Sequence, residues 1–396
     1  MTTEDSIVAA VAEAIRTREP LLIQGNSTKS GMLRPVQAGR TLSTAGLSGI
    51  NLYAPKELIL SAWAGTPLPE IEAAVAAAGQ HLIAEPPDLS ALLGETGKPQ
   101  TLGGVVATNL SGPRRVAWGA MRDHVMGMRA VTGRAEIVRS GGRVLKNVTG
   151  LDLCKLLTGS HGTLGVITEI TLKVLPAPEA TGTLVLPGLD AAAGVAALSA
   201  ALGSPFGVSG AAWLPAQAAG RVPGLAGIGG SVALIRIEDF APSVVYRIGR
   251  LKDQFALTGA RTFDSEASKA IWRDIRDARP LATRSDDAVW RVSVRPSAGP
   301  AVLETLRGVG VEGFLDWGGG LLWLSGPAET ATHAAVESAA RTAGGTWTLL
   351  RAPDTLRGVV RVVPDEAAAL ARITRQVKAA MDPAGILNPG RLYAGL

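Results

Sequence analysis

The sequence has 396 residues, of which 46% are hydrophobic, and its 39 Lys and Arg against 34 Asp and Glu give a net charge of +5. A chain of this length exceeds one ordinary core and predicts two or three domains. Aromatic residues make up only 4%, so the basic groove with stacking rings that single-stranded nucleic acid needs is not indicated. No apolar run approaches the roughly 20 residues of a transmembrane helix, so we expect no transmembrane segment.

The single cysteine, Cys154, excludes an intrachain disulfide framework and a Cys-ligated metal centre. Its apolar neighbours predict a small buried side chain. The first residues include Glu4 and Asp5 ahead of a helical pattern, which is not typical of a secretory signal. We therefore expect a cytoplasmic protein.

Apolar residues at helical spacing predict a first helix over 5–18. A short apolar run at 21–23 then indicates a buried strand, and 24–31 is a polar loop. A strand over 58–64 precedes a second helix, for which Thr66 is the predicted N-cap, Pro67 the first helical residue and Gly79 the residue beyond the end.

The next stretch, 86–124, is rich in Gly, Pro, Ser, Thr and Arg and lacks periodicity, so we interpret it as a long irregular and functional segment. Further on, the sequence predicts a hairpin of 125–131 with 135–139, a short helix over 152–157 and a strand over 166–174. The composition of the sequence changes near Pro176, which predicts a domain boundary there. The predicted domains are an N-terminal domain over 1–176, an α+β domain over 177–365 and a tail over 366–396 that begins with a helix. Within the α+β domain, strands are predicted at 231–237, 289–295 and 321–324.

Common catalytic and nucleotide-binding signatures are absent from this sequence. There is no Gly-x-Gly-x-x-Gly between a strand and a helix, no Walker A motif, no His-Glu-x-x-His and no Cys-x-x-Cys. The four histidines are spread along the chain, so no metal site is predicted.

Small-residue loops beside strands remain as the candidates for binding chemistry. A diphosphate needs closely approaching backbone N–H donors, which requires small side chains. The loop Gly25–Gly31 fits, because Asn26, Ser27 and Thr28 add side-chain donors and Lys29 adds a positive charge. A plain polar turn is the alternative.

Three later segments have a similar composition. In Thr101–Gly112, adjacent glycines allow backbone to pass close to a flat ligand, although an ordinary Gly-rich loop is the alternative. Gly119-x-x-Arg122-Asp123 follows, and that Arg-Asp pair is equally typical of a surface salt bridge. Gly159–Ile167 is the third, with a strand-entry turn as the alternative.

In this order, the loops resemble the FAD-binding domain of the vanillyl-alcohol-oxidase and para-cresol-methylhydroxylase (PCMH) type. The resemblance implies an α+β fold, with a PCMH-type FAD-binding domain of two α+β lobes and a C-terminal α+β cap-like domain. It places the first loop at the FAD diphosphate, the Thr101 and Gly119 segments beside the flavin, and the Gly159 segment by the ribose and adenine. The residues it assigns to FAD are Gly25, Asn26, Ser27, Thr28, Lys29, Pro87, Gly103, Gly104, Ala107, Asn109, Ser111, Gly112, Arg122, Asp123, Gly159, Gly162, Thr163, Gly165, Val166, Ile167 and Asn388.

Within this family the chain is similar to the FAD-binding subunits of glycolate oxidase complexes. The match is carried by Leu22–Lys29, Ala64–Leu68, Glu85–Pro87, Leu110–Arg115, Lys146–Leu153, Asp316–Gly319 and Asp382–Arg391. The resemblance implies oxidation of glycolate to glyoxylate, a paralogous FAD-containing subunit, and an iron–sulfur subunit that receives electrons. It further implies that a cytoplasmic subunit can lie peripherally at the inner membrane through its partners.

Two departures from the family pattern shape the expected function. No histidine lies in the first loop, where covalent members attach FAD, so we expect non-covalent FAD. The cap stretch Phe314–Gly320 also lacks the histidines that help related subunits to hold substrate. This absence favours a view in which the paralogous subunit oxidises glycolate and the FAD of this chain relays electrons.

Arg114 and Arg115 are the candidates for binding an anionic substrate, because guanidinium groups match carboxylates bidentately. The alternative is that at least one of them belongs to a surface ion pair. His124 and His161 are the ionisable bases within the motifs, but structural roles are favoured for both, and no catalytic residue is assigned. Two other functions stay open: an assembly subunit with structural or vestigial FAD, and a stand-alone FAD-dependent reductase or 2-hydroxy-acid dehydrogenase.

Overall fold

The fold is taken from a computed structural model that describes residues 2–95, 97–142, 151–256 and 258–396. Part of the Lys146–Leu153 motif therefore lies outside the described residues. The elements of the N-terminal domain are, in chain order, α1 (Glu4–Thr17), β1 (Leu21–Gln24), β2 (Arg40–Ser43), β3 (Ile50–Ala54), β4 (Ile59–Trp63), α2 (Leu68–Ala77), β5 (Gln80–His81), α3 (Leu102–Thr108), α4 (Arg115–Trp118), α5 (Met121–His124), β6 (Val125–Val131), β7 (Ile137–Gly141), α6 (Leu153–Leu157), β8 (Val166–Lys173) and β9 (Leu175–Pro176).

The first lobe of this domain is built on α1 and the parallel pair β1–β2. A capping box starts α1, because the Thr3 hydroxyl accepts the Ser6 N–H at 3.1 Å and the Ser6 hydroxyl accepts the Thr3 N–H at 2.9 Å. The predicted apolar stripe of α1 is buried against Leu21 of β1. The polar loop follows directly after Gln24, the last residue of β1.

The second lobe is a five-stranded antiparallel sheet in the order β3-β4-β8-β6-β7. Helices α2, α3 and α6 contribute to the core of this lobe, in which Cys154 is buried as predicted. A separate antiparallel pair, β5–β9, joins Gln80 to Pro176 and His81 to Leu175. The two lobes give the α+β architecture expected from the sequence.

Several local predictions in this domain were wrong. Thr66 is not the N-cap of α2, because its hydroxyl bonds the backbone of Gly49 and Trp63 while Pro67 takes the cap position. Strand β7 starts at Ile137, two residues late, since Ala135 has a left-handed φ of 61° and belongs to the turn. The segment 86–124 is not uniformly irregular but contains α3, α4 and α5.

The cap follows as one eight-stranded antiparallel sheet in the order β13-β10-β12-β11-β15-β16-β14-β17. Its elements are β10 (Ala180–Pro187), α7 (Ala191–Leu202), β11 (Val208–Leu214), α8 (Ala216–Gly220), β12 (Val232–Asp239), α9 (Ala241–Phe255), β13 (Arg261–Phe263), α10 (Ser265–Arg276), β14 (Ala288–Ser293), α11 (Gly299–Arg307), β15 (Glu312–Asp316), β16 (Leu321–Gly326), α12 (Thr330–Thr342), β17 (Thr346–Arg351) and α13 (Asp354–Arg357). Buried Trp272, Trp290 and Trp323 are among the largest side chains in its core.

The tail begins with α14 (Ala368–Met381) and returns to the N-terminal domain. Leu387 bridges Leu21 of β1, so the tail lies alongside the first lobe. The boundaries proposed from the sequence, at 176 and 365, fall between β9 and β10 and between α13 and α14. Within the described residues, none of the helices combines the length and apolar character needed to cross a membrane.

Candidate functional site

A cleft with about 810 Å³ of empty space lies where the two lobes of the N-terminal domain meet. Its walls are the loop after β1, helix α3 and the turn that enters β8, and the tail closes one side. We refer to this space as the cleft.

Many of the residues predicted from the sequence line the cleft together. These are Gly25, Asn26, Ser27, Thr28, Lys29, Gly103, Gly104, Ala107, Gly162, Gly165, Ile167 and Asn388. The other predicted residues, Pro87, Asn109, Ser111, Gly112, Arg122, Asp123, Gly159, Thr163 and Val166, are not among its lining, and neither are Arg114 and Arg115.

The loop after β1 presents unusual hydrogen-bonding capacity to the cleft. The backbone N–H groups of Asn26 to Lys29 make no hydrogen bond to any part of the chain that the structure describes. Ser27 has a left-handed φ of 64°, which turns this short run of amides. Successive N–H groups in such a turn form an anion-binding concavity, as a diphosphate requires.

Two glycines of α3 have different roles, although they are adjacent. A Cβ on Gly103 would lie 2.8 Å from the Cβ and 2.9 Å from the carbonyl oxygen of Ala64, so this glycine permits close packing of α3 on the second lobe. A Cβ on Gly104 would instead lie 3.3 Å from Thr101 Oγ1 and 3.9 Å from Lys29 Nζ. Gly104 therefore faces the cleft and keeps it wide.

Lys29, His161 and Arg391 are the ionisable side chains that line the cleft. The Lys29 ammonium donates to Gln100 Oε1 at 2.9 Å, and burial lowers its pKa to about 8. His161 is neutral, because burial and then the charge of Arg391 lower its pKa to about 3. Among the residues that the structure describes, positively charged side chains line the cleft and no carboxylate does. This charge favours an anionic ligand.

Two residues of the tail, Asn388 and Arg391, form hydrogen bonds to the walls of the cleft. Asn388 accepts the Ile23 N–H at 2.8 Å and donates to the His161 carbonyl at 2.8 Å, so one side chain joins both walls. The guanidinium of Arg391 donates to the carbonyl groups of Lys29 at 2.8 Å and Arg34 at 3.1 Å. These bonds hold the carbonyl groups of the loop toward the tail, which leaves its N–H groups for the cleft.

A buried ion pair braces the tail itself. Lys378 Nζ lies 2.6 Å from Asp382 Oδ2 and also donates to the Thr163 carbonyl at 2.8 Å. Asp382 in turn accepts the N–H groups of Ile386 and Leu387, which precede Asn388. The position of Asn388 is therefore determined by contacts made six residues earlier in the chain.

A second group of predicted residues shapes the turns next to the cleft. Asn109 Oδ1 accepts the Arg122 N–H at 3.0 Å, and Ser111 Oγ accepts the Met121 N–H at 2.8 Å. Asp123 accepts the Ala120 N–H at 2.8 Å, so its carboxylate organises α5. Among the ion pairs of the described chain, the Arg122–Asp123 salt bridge considered from the sequence does not occur.

Arg114 is committed to a charge network between the domains. Its guanidinium binds Glu238 of the cap through two bonds of 3.0 and 2.7 Å, while Arg236 binds Glu85 through two bonds of 2.8 and 3.0 Å. We call these four residues the interdomain brace. The guanidinium of Arg114 is already occupied by the Glu238 carboxylate, so it is not free to bind the carboxylate of a substrate, the role considered for it from the sequence.

The brace also positions two backbone segments of the N-terminal domain. Glu85 has a left-handed φ of 48°, and its Oε2 accepts the Arg114 N–H at 3.1 Å. The Gly112 N–H donates to Ala84 at 3.0 Å, so the segments at 84–87 and 111–115 lie side by side. A Cβ on Gly112 would clash with the Glu85 carbonyl oxygen, so this position requires glycine.

Sequence reasoning missed several residues that line the cleft. They are Leu22, Ile23, Gln24, Ser30, Thr44, Thr101, Thr108, His161 and Arg391. Thr101 had a readable signal, since a threonine before a Gly-containing apolar run is typical of an N-cap, and its hydroxyl does accept the Gly104 N–H at 3.3 Å. Thr44 had none, because it reaches the cleft through the parallel pairing of β2 with β1.

Comparison with known proteins identifies the ligand class of this domain. A family model described as an FAD binding domain matches residues 1–141. The unpaired amides, the cation and the small residue that faces the cleft fit the diphosphate of such a cofactor. The fold is shared with 4-ethylphenol oxidase from Gulosibacter chungangensis, at a TM-score of 0.73 and 14% identity over 99% of this chain and 88% of that one.

Two curated relatives place the chain more closely. The glycolate oxidase subunit GlcD of Bacillus subtilis (strain 168) is 41% identical over 110 residues, which cover 27% of this chain and 22% of that protein. The glycolate oxidase subunit GlcE of Escherichia coli (strain K12) is 36% identical over 393 residues, which cover 99% of this chain and 97% of that protein. The chain is thus a flavoprotein of the FAD-linked oxidoreductases and belongs to the GlcE family.

Proposed function

We propose that this chain is the FAD-binding subunit of a glycolate oxidase complex. In this complex glycolate is oxidised to glyoxylate, and electrons pass to an iron–sulfur subunit. The likeness to GlcE over nearly the whole chain supports the assignment, and the partial likeness to GlcD supports a paralogous FAD-containing partner.

The observation that carries the proposal is the cleft with its unpaired amides at Asn26–Lys29. When bound, FAD supplies two-electron chemistry at a carbon that carries a hydroxyl group. The work of the protein is to orient the cofactor. Amides of the first loop hold the diphosphate, Lys29 balances its charge, and Asn388 keeps the two walls in register.

We further propose that FAD is held without a covalent bond. His161 is the histidine that lines the cleft, and the loop after β1 carries none. The backbone of His161 has a left-handed φ of 54°, and burial together with the charge of Arg391 lowers the pKa of its imidazole to about 3. Acid precipitation should therefore release the flavin into the supernatant, and flavin that stays with the protein would contradict this part.

The test of the function uses the complete complex. We expect Gly104→Val to remove FAD from this subunit and to abolish glycolate turnover, because the new side chain enters the cleft. Gly227→Val is the matched control, since Gly227 is exposed and a Cβ added to it would meet nothing within 4 Å. Full turnover by a Gly104→Val complex that lacks FAD in this subunit would instead show an assembly role.

A second measurement separates catalysis by this chain from electron relay. The purified FAD-loaded chain is mixed with glycolate without oxygen, and the flavin absorbance is followed. No bleaching is expected if the paralogous subunit oxidises glycolate, as the missing cap histidines in Phe314–Gly320 favour. Bleaching would refute the relay view, and rapid bleaching by NADPH would favour a stand-alone reductase.

A further inference from the structure

Two arginines from different domains converge on one tryptophan of the cap. The guanidinium of Arg115, at the start of α4, lies 4.7 Å from the ring centre of Trp317. The guanidinium of Arg291, on β14, lies 5.4 Å from the same ring and 5.0 Å from that of Trp323. One aromatic surface therefore gathers two positive charges at the domain junction.

Neither of these guanidinium groups has an anionic partner. Within the described residues, no carboxylate lies within 4.0 Å of Arg115 or Arg291, and no hydrogen-bond acceptor is present for Arg291 Nε, which is buried. The nearby brace shows the contrast, since Arg114 and Arg236 each bind a carboxylate bidentately. A buried N–H without an acceptor is costly, and the oxygen of a bound carboxylate would satisfy the Nε–H of Arg291.

The electrostatics of the junction agree with this geometry. Burial and then the charge of Arg115 lower the pKa of Arg291 to about 10, so the two cations repel each other. The neighbouring carboxyl of Asp316 offsets only part of this charge, because burial raises its pKa to about 7 and its Oδ1 already accepts the Trp317 N–H at 2.7 Å. An added monoanion would relieve the repulsion.

The position of the pair connects it to the proposed flavin site. Trp317 Nε1 donates to the Gly112 carbonyl at 3.1 Å, and Gly112 belongs to the segment assigned to the flavin from the sequence. Arg115 follows in the same segment and is exposed, so its side of the pair is open to solvent. Arg291 lies directly opposite Trp323 in the sheet, and this pairing fixes the position of its backbone.

We propose that Arg115 and Arg291 form a binding site for the carboxylate of a small hydroxy acid, with Trp317 as its floor. The guanidinium forks offer paired N–H donors that match the two oxygens of a carboxylate. The inference rests on the proposed function and deepens it, because it assigns two residues of this chain to recognition of the carboxylate of a small hydroxy acid.

The test is a titration of the FAD-loaded chain with oxalate, a non-oxidisable dicarboxylate, followed by calorimetry and by the flavin difference spectrum. Saturable binding is expected for the unaltered protein. Arg291→Met should weaken oxalate binding by about tenfold or more, and Arg115→Met, at the exposed side, by about threefold. Arg291→Lys should restore only part of the loss, because an ammonium lacks the fork.

Arg295→Met is the matched control, since Arg295 is exposed and lies four residues beyond Arg291, and it should bind oxalate within about twofold of the unaltered protein. If the unaltered FAD-loaded chain showed no saturable binding of oxalate, this result alone would overturn the inference. The inference would also be overturned if Arg295→Met lost as much oxalate affinity as Arg291→Met, or if chloride competed for the site as well as oxalate binds it. Failure of the chain to retain FAD at all contradicts the proposed function, so the two failures are distinguishable.

Discussion

The cleft and the interdomain brace are both polar, yet they treat their charges in opposite ways. In the brace every guanidinium and carboxylate has a bidentate partner, as in Arg236 with Glu85. In the cleft the amides of Asn26–Lys29 have no partner within the described chain, and burial lowers the pKa of Lys29. Satisfied polar groups stabilise a fold, whereas unsatisfied ones that converge on a cavity indicate a ligand.

The largest expected effect tests the structural side of this comparison. Arg236→Met removes the bidentate partner of Glu85 and leaves its carboxylate buried. We expect the free energy of unfolding to fall by about 3–5 kcal/mol. Urea denaturation measures the change. The control is Arg247→Met, whose pair with Asp239 lies within the cap and is partly exposed, so a change of no more than about 1 kcal/mol is expected. Equal losses in both variants would show that the brace is an ordinary surface pair.

Two adjacent glycines separate packing from ligand binding. Gly103→Val should destabilise the fold by about 1–3 kcal/mol, because its side chain meets Ala64. Gly104→Val should keep most of the stability and lose FAD affinity, because its side chain enters the cleft. Thermal unfolding and FAD titration of both variants measure the split. If Gly104→Val binds FAD normally, the cleft is not the cofactor site.

A smaller effect follows from the charge of Lys29. A bound diphosphate stabilises the ammonium and raises its pKa above the value of about 8 in the free protein. FAD affinity should therefore be constant below pH 8 and fall above it, by at most about tenfold per pH unit. Lys29→Met should bind more weakly and lose this slope, while the exposed control Lys56→Met should retain it. A pH-independent affinity of the unaltered chain between pH 7 and about pH 9 would exclude this role of Lys29.

The local part of the fold could be predicted from the sequence. The periodicity of α1 and the apolar run of β1 each act over a few residues and were interpreted correctly. The strand predicted over 166–174 is observed as β8. Helix α3 was missed because it is only seven residues long and contains two glycines, so no helical period is visible. The polar loop at Gly25–Gly31 was found because its donors are adjacent in the sequence.

Contacts between distant residues could not be predicted in this way. Glu85 and Arg236 are 151 residues apart, and only the folded chain shows that their charges meet. Arg114 and Arg115 look alike in the sequence, yet one is held by Glu238 and the other lies over Trp317. Arg291 carries no local signal, because its significance comes from the sheet register that places it beside Trp323.

The most direct test of the cofactor site is equilibrium binding of FAD to the isolated chain, compared with Gly104→Val and the exposed control Gly227→Val. We predict one FAD for each unaltered or control chain, released by acid, and a large loss of affinity in Gly104→Val. This prediction would be contradicted if the folded, unaltered chain bound no FAD, or if Gly104→Val bound FAD as tightly as the control.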